Sequence, residues 1–135
     1  IYLIKFLMNE CNIKYHNVIG HSDVSVNRKI DPGKRFPWQT LFMEGIGVFS
    51  DRDSYNYSRL IPREDHQFFI EDIQQMLKNI GYELNITNKF DDDTIRVIRA
   101  FQRHWRSSRV NGLIDISTKD ILLDIHSQFN EARVA

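Results

Sequence analysis

Phe90-Asp91-Asp92-Asp93-Thr94-Ile95-Arg96-Val97 is echoed by Ile114-Asp115-Ile116-Ser117-Thr118-Lys119-Asp120-Ile121. In each stretch an apolar anchor is followed four residues later by Thr, and three residues after that by an aliphatic residue. The Thr falls near a helix start, and Asp91–Asp93 set carboxylates where the positive end of a helix dipole favours them. The spacing predicts a helix over 94–106, with Ile95, Ile98, Phe101 and Trp105 on one stripe. A last helix is expected from about Ser117, with Ile121, Leu122 and Ile125 turned inward. Upstream, Phe69, Ile70, Ile73, Met76, Leu77 and Ile80 recur at three and four, and Gly81 ends that helix. Three short helices with a small internal repeat make a compact all-α bundle over residues 66–135.

Ahead of the bundle the composition changes. Ser50 to Asp65 is polar and Tyr-bearing, with no apolar period, and reads as a linker over residues 50–65. Residues 1–49 alternate differently. Leu3, Ile4, Leu7, Met8 and Cys11 make one face of a helix, and apolar residues on its other faces argue for burial. This N-terminal run is short and carries Lys5, so it fits neither a signal peptide nor a membrane span. Asn17-Val18-Ile19-Gly20 reads as a buried strand against which that helix packs. Phe36-Pro37-Trp38 opens a short helix with Pro37 in its first turn and Gly45 at its exit. Its Trp38, Leu41 and Phe42 share a face, read as core rather than as an aromatic wall for sugar rings.

Charge narrows the classes of partner. Of 135 residues, 18 are Lys or Arg and 18 are Asp or Glu, so no global field favours nucleic acid or an anionic membrane. Arg96, Arg99, Arg103 and Arg106, with His104 and Trp105 nearby, form a stripe of the kind that grips phosphates. The neighbouring Asp91–Asp93 and Asp115 argue instead for a solvated helix face, and nucleic acid is set aside. His66, His104 and His126 read as surface or packing residues. Cys11 is the only cysteine, so no intrachain disulfide forms, and it reads as a small core residue.

The chemistry-bearing stretch is Gly20-His21-Ser22-Asp23, followed by Arg28-Lys29-Ile30-Asp31-Pro32-Gly33. His21 and Asp31 are nitrogen and oxygen donors of the kind zinc accepts. Lys29 is a cation able to meet negative charge on a substrate oxygen. Pro32 biases Asp31 toward extended backbone. Taken alone, the trio is a weak signal and reads first as a capped turn with a surface Lys.

Order and context add a resemblance. Val18-Ile19-Gly20-His21-Ser22-Asp23 through Arg28-Lys29-Ile30-Asp31-Pro32-Gly33, then Phe36-Pro37-Trp38, resembles the zinc-dependent N-acetylmuramoyl-L-alanine amidases of the type 2 family over residues 1–49. The resemblance implies an α/β fold for this segment, the C-terminal part of an amidase domain with a mixed sheet and flanking helices. It implies that His21 and Asp31 are metal ligands for Zn2+ and that Lys29 is a catalytic residue polarising the scissile amide or its oxyanion. Such a site takes three protein ligands plus water. Glu10 and His16 are the only carboxylate and imidazole before His21, and we read Glu10 as a solvated helix position and His16 as exposed before the strand. The first His and the general base are therefore expected from a missing N-terminal part of the same amidase, and the chain alone is expected to bind zinc poorly and lack activity.

The bundle has its own resemblance. Gln74-Gln75 through Gly81-Tyr82, Phe90 to Thr94, Ala100-Phe101-Gln102, and Asn111-Gly112 through Asp115 with Thr118 are similar to the three-helix peptidoglycan-binding domain of cell-wall hydrolases. Where that family has Asp-Gly before the first apolar anchor, this chain has Asn88-Lys89, and Asn tolerates the left-handed backbone such a turn needs. Together the resemblances imply hydrolysis of the amide between the lactyl group of N-acetylmuramic acid and L-alanine of the stem peptide. Peptidoglycan or a muropeptide is the implied partner, and the bacterial cell envelope (periplasm or outer membrane) is the implied location rather than the cytoplasm. Two alternatives stand beside this reading: a non-catalytic peptidoglycan-binding module, and an inactive relative that kept the turn but lost the metal.

Overall fold

The computed structural model describes residues 1–53 and 63–134, with side chains from residue 70 onward in the second stretch. Most of the expected linker, and the expectations for His66 and Phe69, lie outside the described residues and side chains. The elements are α1 (Tyr2–Glu10), α2 (His21–Val24), α3 (Trp38–Met43), α4 (Arg63–Ile80), α5 (Asp92–Trp105) and α6 (Ile116–Val134), with one 3₁₀ turn at Tyr15–Asn17. No helix is long and apolar enough to cross a membrane among the described residues.

The α/β expectation for residues 1–49 is overturned: among the described residues there is no strand. Val18 (φ −87, ψ 104) and Gly20 (φ −82, ψ 154) do take extended backbone. A strand, however, exists only through a partner that accepts its N–H and C=O groups. Here Val18 N–H turns back to the Tyr15 carbonyl at 3.2 Å, and that carbonyl also accepts Gly47 N–H at 3.0 Å. An apolar run prescribes extension and burial but not pairing, and Ile19 is itself exposed.

Helix α1 forms where its periodicity places it, yet buries no residue fully. Ile4 and Met8 pack partly on Trp38, Leu41 and Ile46, while Tyr2, Leu3, Phe6 and Leu7 face outward. Cys11, expected in the core, is exposed at the end of this helix. Helix α3 forms with Pro37 at its N-cap and Gly45 leaving it at φ 77, and Trp38 and Leu41 are buried as expected, but Phe42 is exposed and not part of the core.

The larger core lies in the bundle. Ile73 and Leu77 of α4, Val97, Ile98, Phe101 and Trp105 of α5, and Ile121, Leu122 and Ile125 of α6 meet there, joined by Val48 from the N-terminal segment. That segment is stitched on through its backbone. Trp105 Nε1–H donates to the Val48 carbonyl at 3.1 Å, and the Gln128 amide donates to the Phe49 carbonyl at 2.8 Å. Arg106 corrects the solvated-face reading of the Arg stripe. It is 5% exposed and donates to Asp115, to Thr118 Oγ1 at 2.7 Å and to Asp53 at 3.2 Å. Being the first residue past α5, it has left the helical register that puts Arg96 and Arg99 in water.

The internal repeat has a physical basis that periodicity alone does not show. Two fully buried glutamines each hold one loop. The Gln74 amide donates to Thr87 Oγ1, the Lys89 carbonyl and Thr94 Oγ1, while its oxygen accepts Thr87 and Asn88 N–H, both at 3.0 Å. Gln102 repeats this on Asn111, Leu113 and Thr118, its oxygen accepting Asn111 and Gly112 N–H at 3.0 and 2.8 Å. The turn residues correspond too: Asn88 at φ 53 stands where Gly112 takes φ 78. Asp91 then caps α5 through Thr94 N–H at 2.9 Å, and Asp115 caps α6 through Thr118 N–H at 2.8 Å.

Both caps bear on acid stability. The Thr94 hydroxyl and N–H, then Thr87, hold Asp91 below its ordinary value of 3.8. Burial pushes Asp115 up, but Arg106 and Thr118 outweigh it, leaving its carboxyl below 3.8 as well. A depressed folded value means stability that is complete above the unfolded value and lost as pH falls through the folded one. Urea midpoints should therefore be flat from neutrality down to about pH 5 and then fall as pH drops through and below 4. A midpoint that holds steady to pH 2 would show that neither cap contributes.

Candidate functional site

Helix α2 is one turn long and begins with His21. The N–H of Ser22 donates to the Asp31 carbonyl at 2.8 Å, which draws residue 31 back beside the start of the helix. Between them Arg28 and Lys29 N–H groups both bond the Ser25 carbonyl, at 3.0 and 2.9 Å, closing the turn. The result brings two of the expected ligands together. His21 Nδ1 lies 3.0 Å from Asp31 Oδ2, with side chains 50% and 63% exposed. Partial desolvation raises the Asp31 pKa, but a hydrogen bond from its own backbone, the bond to His21, and the His21 and Lys29 charges outweigh it. The net effect holds the carboxyl below its usual range. Lys29 is exposed and on the same turn, its charge felt at Asp31.

An imidazole nitrogen and a carboxylate oxygen side by side on an exposed turn are donor types that zinc accepts, and these two residues could hold such an ion in part. Among the described residues no cluster of three His, Cys, Asp or Glu donors forms. His16 turns elsewhere: its ring packs edge-on to Phe129 of α6 at 6.1 Å between centroids. Glu10 is exposed at the end of α1, in keeping with its reading as a solvated position.

The inward face of α2 carries residues that the sequence reading did not single out. Asp23 is 8% exposed, and its Oδ2 accepts Gly20 N–H at 2.8 Å while Asp23 N–H returns to the Gly20 carbonyl at 3.0 Å. The same carboxylate accepts Tyr82 O–H at 2.6 Å and pairs with His104 Nδ1 at 2.6 Å. Burial, then the Asp23 charge and hydrogen bond, raise Tyr82 well above the ordinary phenol value, so its proton stays on as donor. The His104 ring lies between two indoles, Trp38 at 3.7 Å and Trp105 at 3.8 Å. Gly20 has no room for a side chain: a Cβ would meet Pro32 Cδ at 2.9 Å and Asp23 Oδ2 at 3.0 Å. Asp23 stood in the quoted motif, but its partners are 59 and 81 residues away, beyond any local pattern. A cleft of about 790 Å³ opens on this inner side along residues 23–28 and Tyr82 to Asn85, and is not lined by His21, Lys29 or Asp31.

Residues 69–122 match the family described as "Putative peptidoglycan binding domain". That stretch of the chain is similar to a peptidoglycan-binding domain, and the chain as a whole is similar to N-acetylmuramoyl-L-alanine amidases. It is 35% identical over 120 residues to the N-acetylmuramoyl-L-alanine amidase AmiD of Escherichia coli K12, an alignment covering 88% of this chain and 43% of that protein. It is structurally similar to E. coli AmiD in complex with the substrate anhydro-N-acetylmuramic acid-L-Ala-D-gamma-Glu-L-Lys (TM-score 0.76, 28% identity, 94% of this chain and 49% of that one). It is similar as well to AmpDh3 of Pseudomonas aeruginosa in complex with anhydromuramic pentapeptide (TM-score 0.72, 31% identity, 95% and 50%). The chain spans about half the length of the relatives it matches.

Proposed function

We propose that this chain serves an N-acetylmuramoyl-L-alanine amidase of the bacterial cell envelope, which hydrolyses the amide between the lactyl group of N-acetylmuramic acid and L-alanine of the stem peptide. The observation that carries this reading is the His21–Asp31 pair, two metal-type donors 3.0 Å apart on an open surface of a chain related to amidases. In this reading His21 and Asp31 would hold a zinc ion, which when bound would supply Lewis-acid polarisation and a more acidic water. Asp31, kept below the usual carboxylate range, is ionised at neutral pH and needs no proton loss to act as ligand. Lys29 stands on the same turn and offers its ammonium to the negative charge that develops on the amide oxygen. A catalytic zinc takes three protein ligands, so this reading calls for a third ligand and a general base in addition to His21, Asp31 and Lys29. The bundle holds the polymer while the turn meets the amide.

The test pairs two assays on the 135-residue chain. It should sediment with insoluble peptidoglycan, and it should bind zinc weakly with a shift of the His21 ring resonances. His21→Ala and Asp31→Asn should each weaken zinc binding at least about tenfold, the lower end of what even outer-shell changes do, without changing sedimentation. Zinc binding indifferent to both substitutions would remove these ligands from the reading. Tight stoichiometric zinc binding with amide cleavage by this chain alone would overturn the shared site. The wall-binding module without catalysis remains the second reading, and residues 69–122 are the observation that favours it.

A further inference from the structure

The bond pattern around Asp23 separates α2 into two faces with different duties. Outward, His21 meets Asp31 on an exposed surface. Inward, Asp23 is gripped by Tyr82, in the segment after α4, and by His104 of α5. A four-residue helix has no stability of its own, because one turn of fixed backbone yields too few hydrogen bonds to repay its ordering. Something else must hold it.

The holding groups are few. Asp23 Oδ2 fastens Gly20 N–H at the helix start, and the Asp31 carbonyl fastens Ser22 N–H. Asp23 is in turn the acceptor for two side chains whose own positions the bundle fixes. Tyr82 is 4% exposed, and His104 is 4% exposed between Trp38 and Trp105. A buried carboxylate with three hydrogen-bond partners has little freedom to move, since losing one leaves charge unpaired in a dry environment.

We propose that Asp23 is a positioning residue through which Tyr82 and His104 of the wall-binding bundle hold α2, and with it the His21 ligand, in place. The bundle is then part of the support of the metal site, and not only an anchor on the polymer. The consequence for the metal rests on the amidase reading above; the mechanical link to α2 does not. Outer groups of this kind typically change metal affinity 10–100-fold when removed.

Hydrogen exchange on the metal-free 135-residue chain tests the link first. Tyr82→Phe keeps the ring and removes one donor, so the fold should persist. Exchange at the Gly20, Ser22 and Asp23 amides should speed up about tenfold, the effect of losing one hydrogen bond to a charged group. Amides of α5 and α6 should keep wild-type protection. His104→Gln serves as the second variant and should act on the same amides. Unchanged exchange at these amides in both variants overturns the proposal, as does a uniform loss of protection across the bundle, which would mark a merely structural role. Zinc titration of Tyr82→Phe, followed at the His21 ring, should then show affinity lowered by about tenfold or more. Altered exchange with unaltered zinc binding in both Tyr82→Phe and His21→Ala would uphold the link and reject the metal reading instead.

Discussion

Replacing Gln102 by Leu should cost on the order of 3–5 kcal/mol, among the largest effects any single substitution in the bundle can have. The side chain is fully buried, and its amide group makes five hydrogen bonds to the loop from Asn111 to Thr118. Leucine fits the volume and adds apolar surface, so packing is not what is lost. The loss is the pairing of Asn111 and Gly112 N–H, the Leu113 carbonyl and the Thr118 hydroxyl. Each buried group left unpaired costs about 1–3 kcal/mol, and some of them will recover water at the loop's outer edge. Against a total stability of about 5–15 kcal/mol for a domain, that loss is severe. The control is next to the sister site. Gln75 is exposed and only pairs with Asn79 one turn on, so Gln75→Leu should stay within about 0.5 kcal/mol of wild type. Urea unfolding of the two variants reads the difference. If they differ by less than about 1 kcal/mol, the loop is held by its own turn geometry and not by the buried amide.

That comparison also marks how far the sequence could be read. The three long helices were legible because each buries one stripe, and a stripe has a period: Ile98, Phe101 and Trp105, then Ile121, Leu122 and Ile125, all end up buried. The echo between the two loops was legible as well, through Phe90, Thr94, Ile114 and Thr118. The glutamines that create the echo were not, since a Gln has no pattern until the loop it satisfies is known. The His21–Lys29–Asp31 turn could be located by spacing because all of it lies within eleven residues. Its inner support could not, because Asp23 reaches Tyr82 and His104 only through the tertiary fold. The failed strand at Val18–Ile19 has the same origin. Hydrophobicity reports that a segment is extended and half-sheltered, whereas a sheet is a property of two segments. Arg106 misled for a smaller reason: it continues the Arg spacing of α5 but sits one residue beyond the helix.

Arg106→Leu is the second large effect, expected at about 3–5 kcal/mol, the usual cost of stripping one partner from a buried ion pair. Asp115 is 1% exposed, and without Arg106 its carboxylate keeps Thr118 N–H at 2.8 Å, the Thr118 hydroxyl and Arg109 at 3.6 Å, but loses the cation that pairs with it in the interior. Asp53 also loses its guanidinium partner, though it retains Ser108 O–H at 2.5 Å. The pH dependence separates this mechanism from loss of packing. In the wild type, Arg106 and Thr118 hold Asp115 below 3.8, so the pair contributes fully at neutral pH. In the variant, burial acts with less opposition and raises the folded value above the unfolded one, so the penalty is largest at neutral pH and fades as acid protonates the carboxyl. The gap in unfolding free energy between wild type and variant should therefore narrow on going from pH 7 to pH 4. Arg106→Leu combined with Asp115→Asn should recover about half of the loss at pH 7, because Asn keeps the cap on Thr118 while removing the stranded charge. A gap that is constant with pH, or a double variant no better than the single one, would assign the loss to the packing of the Arg106 stem and not to its charge.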